Sequence, residues 1–158
     1  MIERRLDLLQ QLPIFGGVTD KILGRILARC ECVRVFKGEL FFKENDHPDG
    51  MFVLETGSVD IFKTHQGDKY YLSQLNEGDC FGEMALIDMS FRSASVRAIN
   101  DCQAIKIPTK TFTEIAVHDL EQFALIQMNM GREICRRLRI ADDKLFNQLV
   151  KNHQTIAS

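Results

Sequence analysis

At 158 residues and 45% apolar composition, the chain is about one domain in size and large enough to bury a core. Its 20 basic and 22 acidic residues, net −2, leave no global positive field for nucleic acid or an anionic membrane. No apolar run approaches the roughly 18 residues of a spanning helix. The N-terminal MIERRLDLLQQL mixes charge among its leucines, unlike a signal peptide. Five scattered cysteines (Cys30, Cys32, Cys80, Cys102 and Cys135) therefore read as reduced thiols in a cytoplasm, and Cys30-x-Cys32 alone is too little for a metal centre.

Residues 2–12 place Ile2, Leu6 and Leu9 on one side of a short amphipathic helix, which Pro13 ends. Gly16-Gly17 make a turn. Thr19 or Asp20 then caps a second helix with Ile22, Leu23, Ile26 and Leu27 as its apolar face, running to about Arg29. From Glu31 to Pro108 the texture changes to short segments rich in Val, Ile and Phe, among them CVRVF, GMFVLE, SVDIFK and CQAIKI. Turn signals such as Lys37-Gly38, Thr56-Gly57 and Glu77-Gly78-Asp79 separate them. Eight strands at this spacing predict an antiparallel barrel or jelly roll with one buried and one wet face. After Pro108 the pattern is helical again. A short helix runs from Thr109 or Thr111 to Val117, and Asp119 caps a long one over 119–150. That helix is about 48 Å long at ~1.5 Å per residue, more than a small barrel covers. Its stripe of Phe123, Ile126, Met130, Ile134, Leu138, Ala141, Leu145 and Leu149 has two readings: a core-facing stripe, or a distal half that pairs with the same helix of a second subunit. The length mismatch favours the second.

The stretch FGEMALIDMSFRSASVRA (81–98) carries the chemistry. Gly82 permits close backbone approach or positive φ. A helical turn over Met84–Ile87 points its free N–H groups at a common spot, and Arg92 supplies a planar charged fork for phosphate oxygens. Glu83 cannot bind phosphate, but it can accept from a pair of sugar hydroxyls. Together they describe a ribose-phosphate site. The alternative is a plain Glu83–Arg92 ion pair on a surface loop.

The same stretch resembles the phosphate-binding cassette of the cyclic nucleotide-binding domain family, F-G-E-x-A-L-x, a spacer, then P-R-x-A-[ST]-V-x-A. Phe81, Gly82, Glu83, Ala85, Leu86, Arg92, Ala94, Ser95, Val96 and Ala98 fall in place. KGELFFKENDHPDGMFVLETGSVDIF is similar to the family's upstream strands, so the resemblance covers about residues 6–145. Phe91 stands where Pro is usual, and Asn45 where Gly is usual; Asn tolerates the left-handed turn.

The resemblance implies an α+β fold, an eight-stranded antiparallel β-barrel or jelly roll between N-terminal helices and a long C-terminal helix. It is one domain over 1–158, with helices to 30, barrel over 31–108 including the cassette at 81–96, and lid and dimer helices over 109–150. Glu83 accepts the ribose 2′-OH, helped by backbone at Gly82. Arg92 pairs with the cyclic phosphate, and backbone around Met84, Ala85 and Ser93 completes the cradle. The base rests among Val59, Ile61, Tyr71 and Leu72 under the long helix. CRRLRIADDKL is similar to the dimer helix of catabolite-activator-type regulators, in the register where Ala141 and Asp142 meet the base. The arginines at 132, 136, 137 and 139 read as a solvated face.

The implied protein is a regulatory cyclic nucleotide receptor without catalytic residues, metal or cofactor, with cAMP favoured over cGMP as ligand. It is expected to be a cytoplasmic homodimer. The C-terminal VKNHQTIAS is too short to read a DNA groove, so no DNA-binding domain is expected in this chain. The alternatives are an effector-domain fragment or stand-alone relative of a transcription regulator, and an assembly module that binds no nucleotide. A small-barrel metalloenzyme needs clustered histidines, whereas the four here, at 47, 65, 118 and 153, are dispersed.

Overall fold

A computed structural model describes residues 2–156. Helix α1 (Ile2–Gln11) leads through a 3₁₀ turn at Pro13–Phe15 into α2 (Asp20–Leu27). Eight strands follow: β1 (Glu31–Val35), β2 (Leu40–Phe42), β3 (Gly50–Thr56), β4 (Val59–His65), β5 (Asp68–Leu75), β6 (Cys80–Phe81), β7 (Ser95–Ala98) and β8 (Cys102–Pro108). A single turn, α3 (Met84–Asp88), stands between β6 and β7. Helices α4 (Thr109–His118) and α5 (Leu120–Ile156) close the chain. The strands form two four-stranded antiparallel sheets, β1-β8-β3-β6 and β2-β7-β4-β5, the jelly roll that the strand spacing predicts.

The first sheet lies between the helices and the second sheet, so β3 and β8 are apolar on both faces. Met51 and Val53 of β3 pair with Ile107 and Ile105 of β8 on the helix side. There they meet Leu9, Ile22, Ile26, Phe112, Ile126 and Met130. Phe52 and Leu54 face the other way, and join Val59, Phe81, Val96 and Ala104 between the sheets. Gly50 has no room for a side chain, because an added Cβ lies 2.5 Å from the Ile107 carbonyl oxygen.

The helix ends are fixed by different groups. Asp119 Oδ1 accepts from Gln122 N at 3.1 Å, the expected cap of α5. Thr19, one of the two residues expected to cap α2, stands at its N-cap, but its side chain makes no capping bond. Gln122 Oε1 instead accepts from Thr19 N at 2.9 Å, tying α2 to α5. Arg5 grips Glu55 of β3 with two hydrogen bonds, at 2.7 and 3.0 Å, and holds α1 on the sheet.

The 37 residues of α5 span about 55 Å at ~1.5 Å per residue. Ile126 and Met130 are fully buried. From Leu138 to His153 every residue is exposed, including Leu138, Leu145, Phe146 and Leu149. The apolar stripe thus outruns the domain it packs on, as the length mismatch predicts.

Candidate functional site

The cassette begins at Gly82, whose φ is +80°. An added Cβ here lies 2.7 Å from Arg92 Nη1, so both conformation and space demand glycine. Glu83 follows and opens α3, a turn of five residues. Leu86 N donates to the Glu83 carbonyl at 3.0 Å. Met89 ends the turn in the left-handed region, at φ 54°, and Asp88 Oδ1 accepts from Ser90 N at 3.0 Å. The chain then reverses toward Arg92.

The backbone of Arg92 is stitched to the β2–β3 loop. Its N–H donates to Asp46 O at 2.9 Å, and its carbonyl accepts from Asn45 N at 2.8 Å. Asn45 takes φ 69°, the left-handed turn expected where glycine is usual. Phe91 is over half exposed, with its ring edge-to-face against His47 at 4.6 Å.

The Arg92 side chain turns inward and is 3% exposed. Nη2 donates to Gly50 O at 2.6 Å and Nη1 to Gly82 O at 3.0 Å, while the guanidinium lies 4.0 Å above the Phe42 ring. Asp49 Oδ1 lies 3.5 Å from Nη2, but this carboxylate is largely exposed and its Oδ2 is taken by Lys106 at 2.5 Å. Arg92 Nε has no acceptor among the described residues. Burial pushes this guanidinium down from its ordinary value, with Asp49 and Asp46 opposing.

Glu83 is 1% exposed and does not pair with Arg92, which removes the surface ion-pair alternative. Its partner is Arg137 of α5, which donates to Glu83 Oε1 and, at 3.2 Å, to Cys80 O. Arg137 also lies 3.4 Å from Glu133, which in turn binds Arg136 at 2.5 and 3.0 Å. Burial pushes the Glu83 carboxyl up, and Arg137 pulls it back only in part. The hydrogen bonds from Arg136 hold Glu133 below the carboxylate range. The Cys80 thiol is pushed up to about 12, by burial first and then by Glu83, so it is no nucleophile at neutral pH.

Of the residues expected at the site, Gly82, Glu83, Met84 and Ala85 run consecutively into α3, and Arg92 reaches back to Gly82. Ser93 is exposed beside Arg92, and Asp142 is exposed further along α5. The four residues expected around the base do not share one surface. Val59 and Ile61 belong to the inter-sheet core. Tyr71 pairs with Phe62, on the opposite face to Ile61, and bonds Arg97 through its hydroxyl at 3.0 Å. Leu72 is the extra residue of a bulge in β5, where Ser73 opposes Ile61 and Tyr71 opposes Phe62. The reading of the α5 arginines as a solvated face holds for exposed Arg136 and fails for Arg137, whose side chain is 36% exposed and closes on the cassette. The Glu133–Arg137 spacing of four was the available signal, a pair on the face of α5 that turns toward the barrel. Among the described residues no group of three His, Cys, Asp or Glu is placed to hold a metal, and no helix is long and apolar enough to cross a membrane.

A family model described as the cyclic nucleotide-binding domain matches residues 32–119. The chain is 29% identical over 134 residues to a cyclic AMP receptor protein of Thermus thermophilus, across 84% of this chain and 60% of that one. It is 24% identical over 108 residues to a cAMP-dependent protein kinase regulatory subunit of Blastocladiella emersonii, across 68% of this chain and 27% of that one. The chain spans between 21% and 60% of the length of these and other curated relatives. Among solved structures, a cyclic nucleotide-binding domain from Methylobacillus flagellatus superposes with a TM-score of 0.80 at 18% identity, over 92% of this chain and 83% of that one. The Thermus thermophilus catabolite activator protein superposes at 0.73 with 27% identity, over 85% and 62%.

Proposed function

The chain belongs to the cyclic nucleotide-binding domain family, and from that premise we propose that it is a receptor for a cyclic nucleotide, cAMP in preference to cGMP, that passes ligand binding on to α5. One observation carries the reading. A buried carboxylate and a buried guanidinium flank Gly82 without neutralising each other, and the guanidinium keeps an N–H without an acceptor. An unmade hydrogen bond on a buried charge is costly, and an incoming oxyanion removes that cost.

Arg92 is the phosphate partner, with backbone N–H groups of Met84, Ala85 and Ser93 around it. Glu83 is the acceptor for the ribose 2′-OH, with backbone from Gly82. Asp142 is the α5 residue that meets the base. Ser93 offers a hydroxyl but no methyl to hold it against a guanine amino group, which supports modest discrimination and a lean to adenine. The thermophile relative named a cyclic AMP receptor protein supports the same lean.

Ligand and helix meet at Glu83, because the carboxylate that would take the sugar is the one Arg137 holds. Sugar hydroxyls at Glu83 change what Arg137 binds, and so bias the position of α5. The exposed stripe Leu138, Ala141, Leu145 and Leu149 supports a homodimer through α5. The role is regulatory and not catalytic. An assembly module that binds no nucleotide has no use for two buried charges held apart, which weighs against that alternative.

Calorimetric titration with cAMP and with cGMP, joined to hydrogen exchange of residues 130–150, tests the proposal. Saturable binding with altered α5 protection is expected. No heat with either nucleotide removes the receptor reading. Binding with unchanged protection leaves a receptor but removes the coupling.

A further inference from the structure

Arg137 stands between two carboxylates, and only one of them belongs to the cassette. Its Nη1 donates to Glu83 Oε1 and its Nη2 to Cys80 O at 3.2 Å. On its other side, Nε lies 3.4 Å from Oε1 of Glu133, one turn earlier on α5. Glu133 is 8% exposed, and a carboxylate taken out of water is costly to keep unless it holds a partner. Hydrogen bonds from Arg136 hold it below the carboxylate range, so it is charged at neutral pH. Its Oε1 is shared, because Arg136 Nη2 holds the same oxygen at 2.5 Å while Arg136 Nε holds Oε2 at 3.0 Å. The Arg136 side chain is mostly exposed, so water replaces that partner at little cost.

We propose that Glu133 is the second seat of Arg137, a positioning residue that takes the guanidinium when ribose hydroxyls claim Glu83. The inference rests on the receptor reading and adds to it the place where the displaced charge goes. Without such a seat, a sugar at Glu83 would leave a partly buried Arg137 with no anion, and that cost would oppose the ligand. With Glu133 in reach, the charge passes from one carboxylate to another. The Nε–Oε1 distance need shorten only from 3.4 Å to the about 2.8 Å of a charged hydrogen bond, while Arg136 turns out to water. A tie between α5 and the cassette is thereby exchanged for a tie within α5, and the helix is released without stranding a charge.

The test follows the Arg137 Nε–Hε signal in ¹H–¹⁵N spectra of the whole chain during titration with cAMP and with 2′-deoxy-cAMP, and reads both affinities by calorimetry. cAMP is expected to move that signal. 2′-Deoxy-cAMP, which has no hydroxyl for Glu83, is expected to leave it in place. Glu83→Gln is expected to move it in the same direction with no ligand added. Glu133→Gln is expected to abolish the movement and to weaken cAMP by about tenfold, the difference one charged hydrogen bond makes, with 2′-deoxy-cAMP unchanged. In an Arg137→Gln background, Glu133→Gln is expected to change neither affinity further. A signal that bound cAMP leaves in place means that the sugar takes the other oxygen of Glu83 while Arg137 stays, and overturns the second seat. Equal weakening of both ligands in Glu133→Gln, or the same weakening without Arg137, makes Glu133 a helix-packing residue and overturns it too. A parent that binds neither nucleotide overturns the receptor reading itself, whereas binding with a silent Arg137 overturns only the seat.

Discussion

Glu83 and Arg137 stand 54 residues apart in the chain, yet the guanidinium of one closes on the carboxylate of the other, across the line between cassette and helix. Glu83 is buried and Arg137 is about a third exposed, so the cost of separating them falls mainly on the carboxylate. Arg137→Ala is expected to destabilise the free protein by about 2–3 kcal/mol, less than a fully buried pair loses, because solvent already reaches the guanidinium. Glu83→Gln in that background is expected to restore most of the loss, since the buried charge is gone. A urea double-mutant cycle measures this, and strictly additive losses would show that the contact couples nothing.

Arg92→Ala is expected to weaken cyclic nucleotide binding by about 2–5 kcal/mol, as a buried phosphate loses its charged partner. Arg92→Lys recovers only part, because a point charge replaces a fork. Calorimetry reads both, and parental affinity in Arg92→Ala would dissolve the phosphate assignment.

Glu83→Gln is expected to reduce the preference for cAMP over 2′-deoxy-cAMP, because an amide accepts sugar hydroxyls less well than a carboxylate. The readout is the ratio of the two affinities. An equal loss for both ligands places the effect on folding and not on the hydroxyl.

Leu138→Glu and Leu145→Glu are expected to yield a folded monomer in sedimentation while the parent sediments as a dimer. Each places a charge on the exposed stripe of α5 and not in the core of its own domain. A monomeric parent contradicts pairing through this helix.

The Arg5–Glu55 tether gives the stability a pH dependence. Burial pushes Glu55 up, but hydrogen bonds from Arg5 and Gln103 outweigh it and hold the carboxyl below its usual range. A depressed folded value means that the stabilisation is complete above the unfolded value near 4.3, and is lost as pH falls through the folded one. Glu55→Gln is therefore expected to cost about 2 kcal/mol at pH 7 and almost nothing at the acid end of that window. Thermal melts of both proteins across pH check it.

The strands and helices were legible because their periods are local. Alternation in SVDIF and the three-or-four spacing from Phe123 to Leu149 need no knowledge of the rest of the chain. Gly82, Glu83 and Arg92 were legible as a motif whose members lie close in sequence. What escaped depends on distant partners. Arg137 looks like its neighbours Arg136 and Arg139 until α5 is docked on β6, and only then does one arginine of the row meet a buried carboxylate. Gln122 as the acceptor for Thr19 N escaped for the same reason, the two standing 103 positions apart. Ile61 and Tyr71, both expected near the base, lie on opposite faces of their sheet because a bulge in β5 shifts the face count by one, and alternation alone does not reveal an inserted residue.

Arg92 rests on the carbonyls of Gly50 and Gly82, and the nearest carboxylate is already occupied by Lys106. A phosphate arriving there displaces two neutral dipoles and one carboxylate, Asp49 at 3.5 Å, whose other oxygen is already engaged by Lys106. Competition of that kind is weak, so the arginine is stored fully charged and ready for exchange. By this logic Lys106 acts as a guard. Without it, Asp49 is free to move onto Arg92 and compete for the fork on equal electrostatic terms, and the receptor becomes harder to load without any change at the ligand's own contacts.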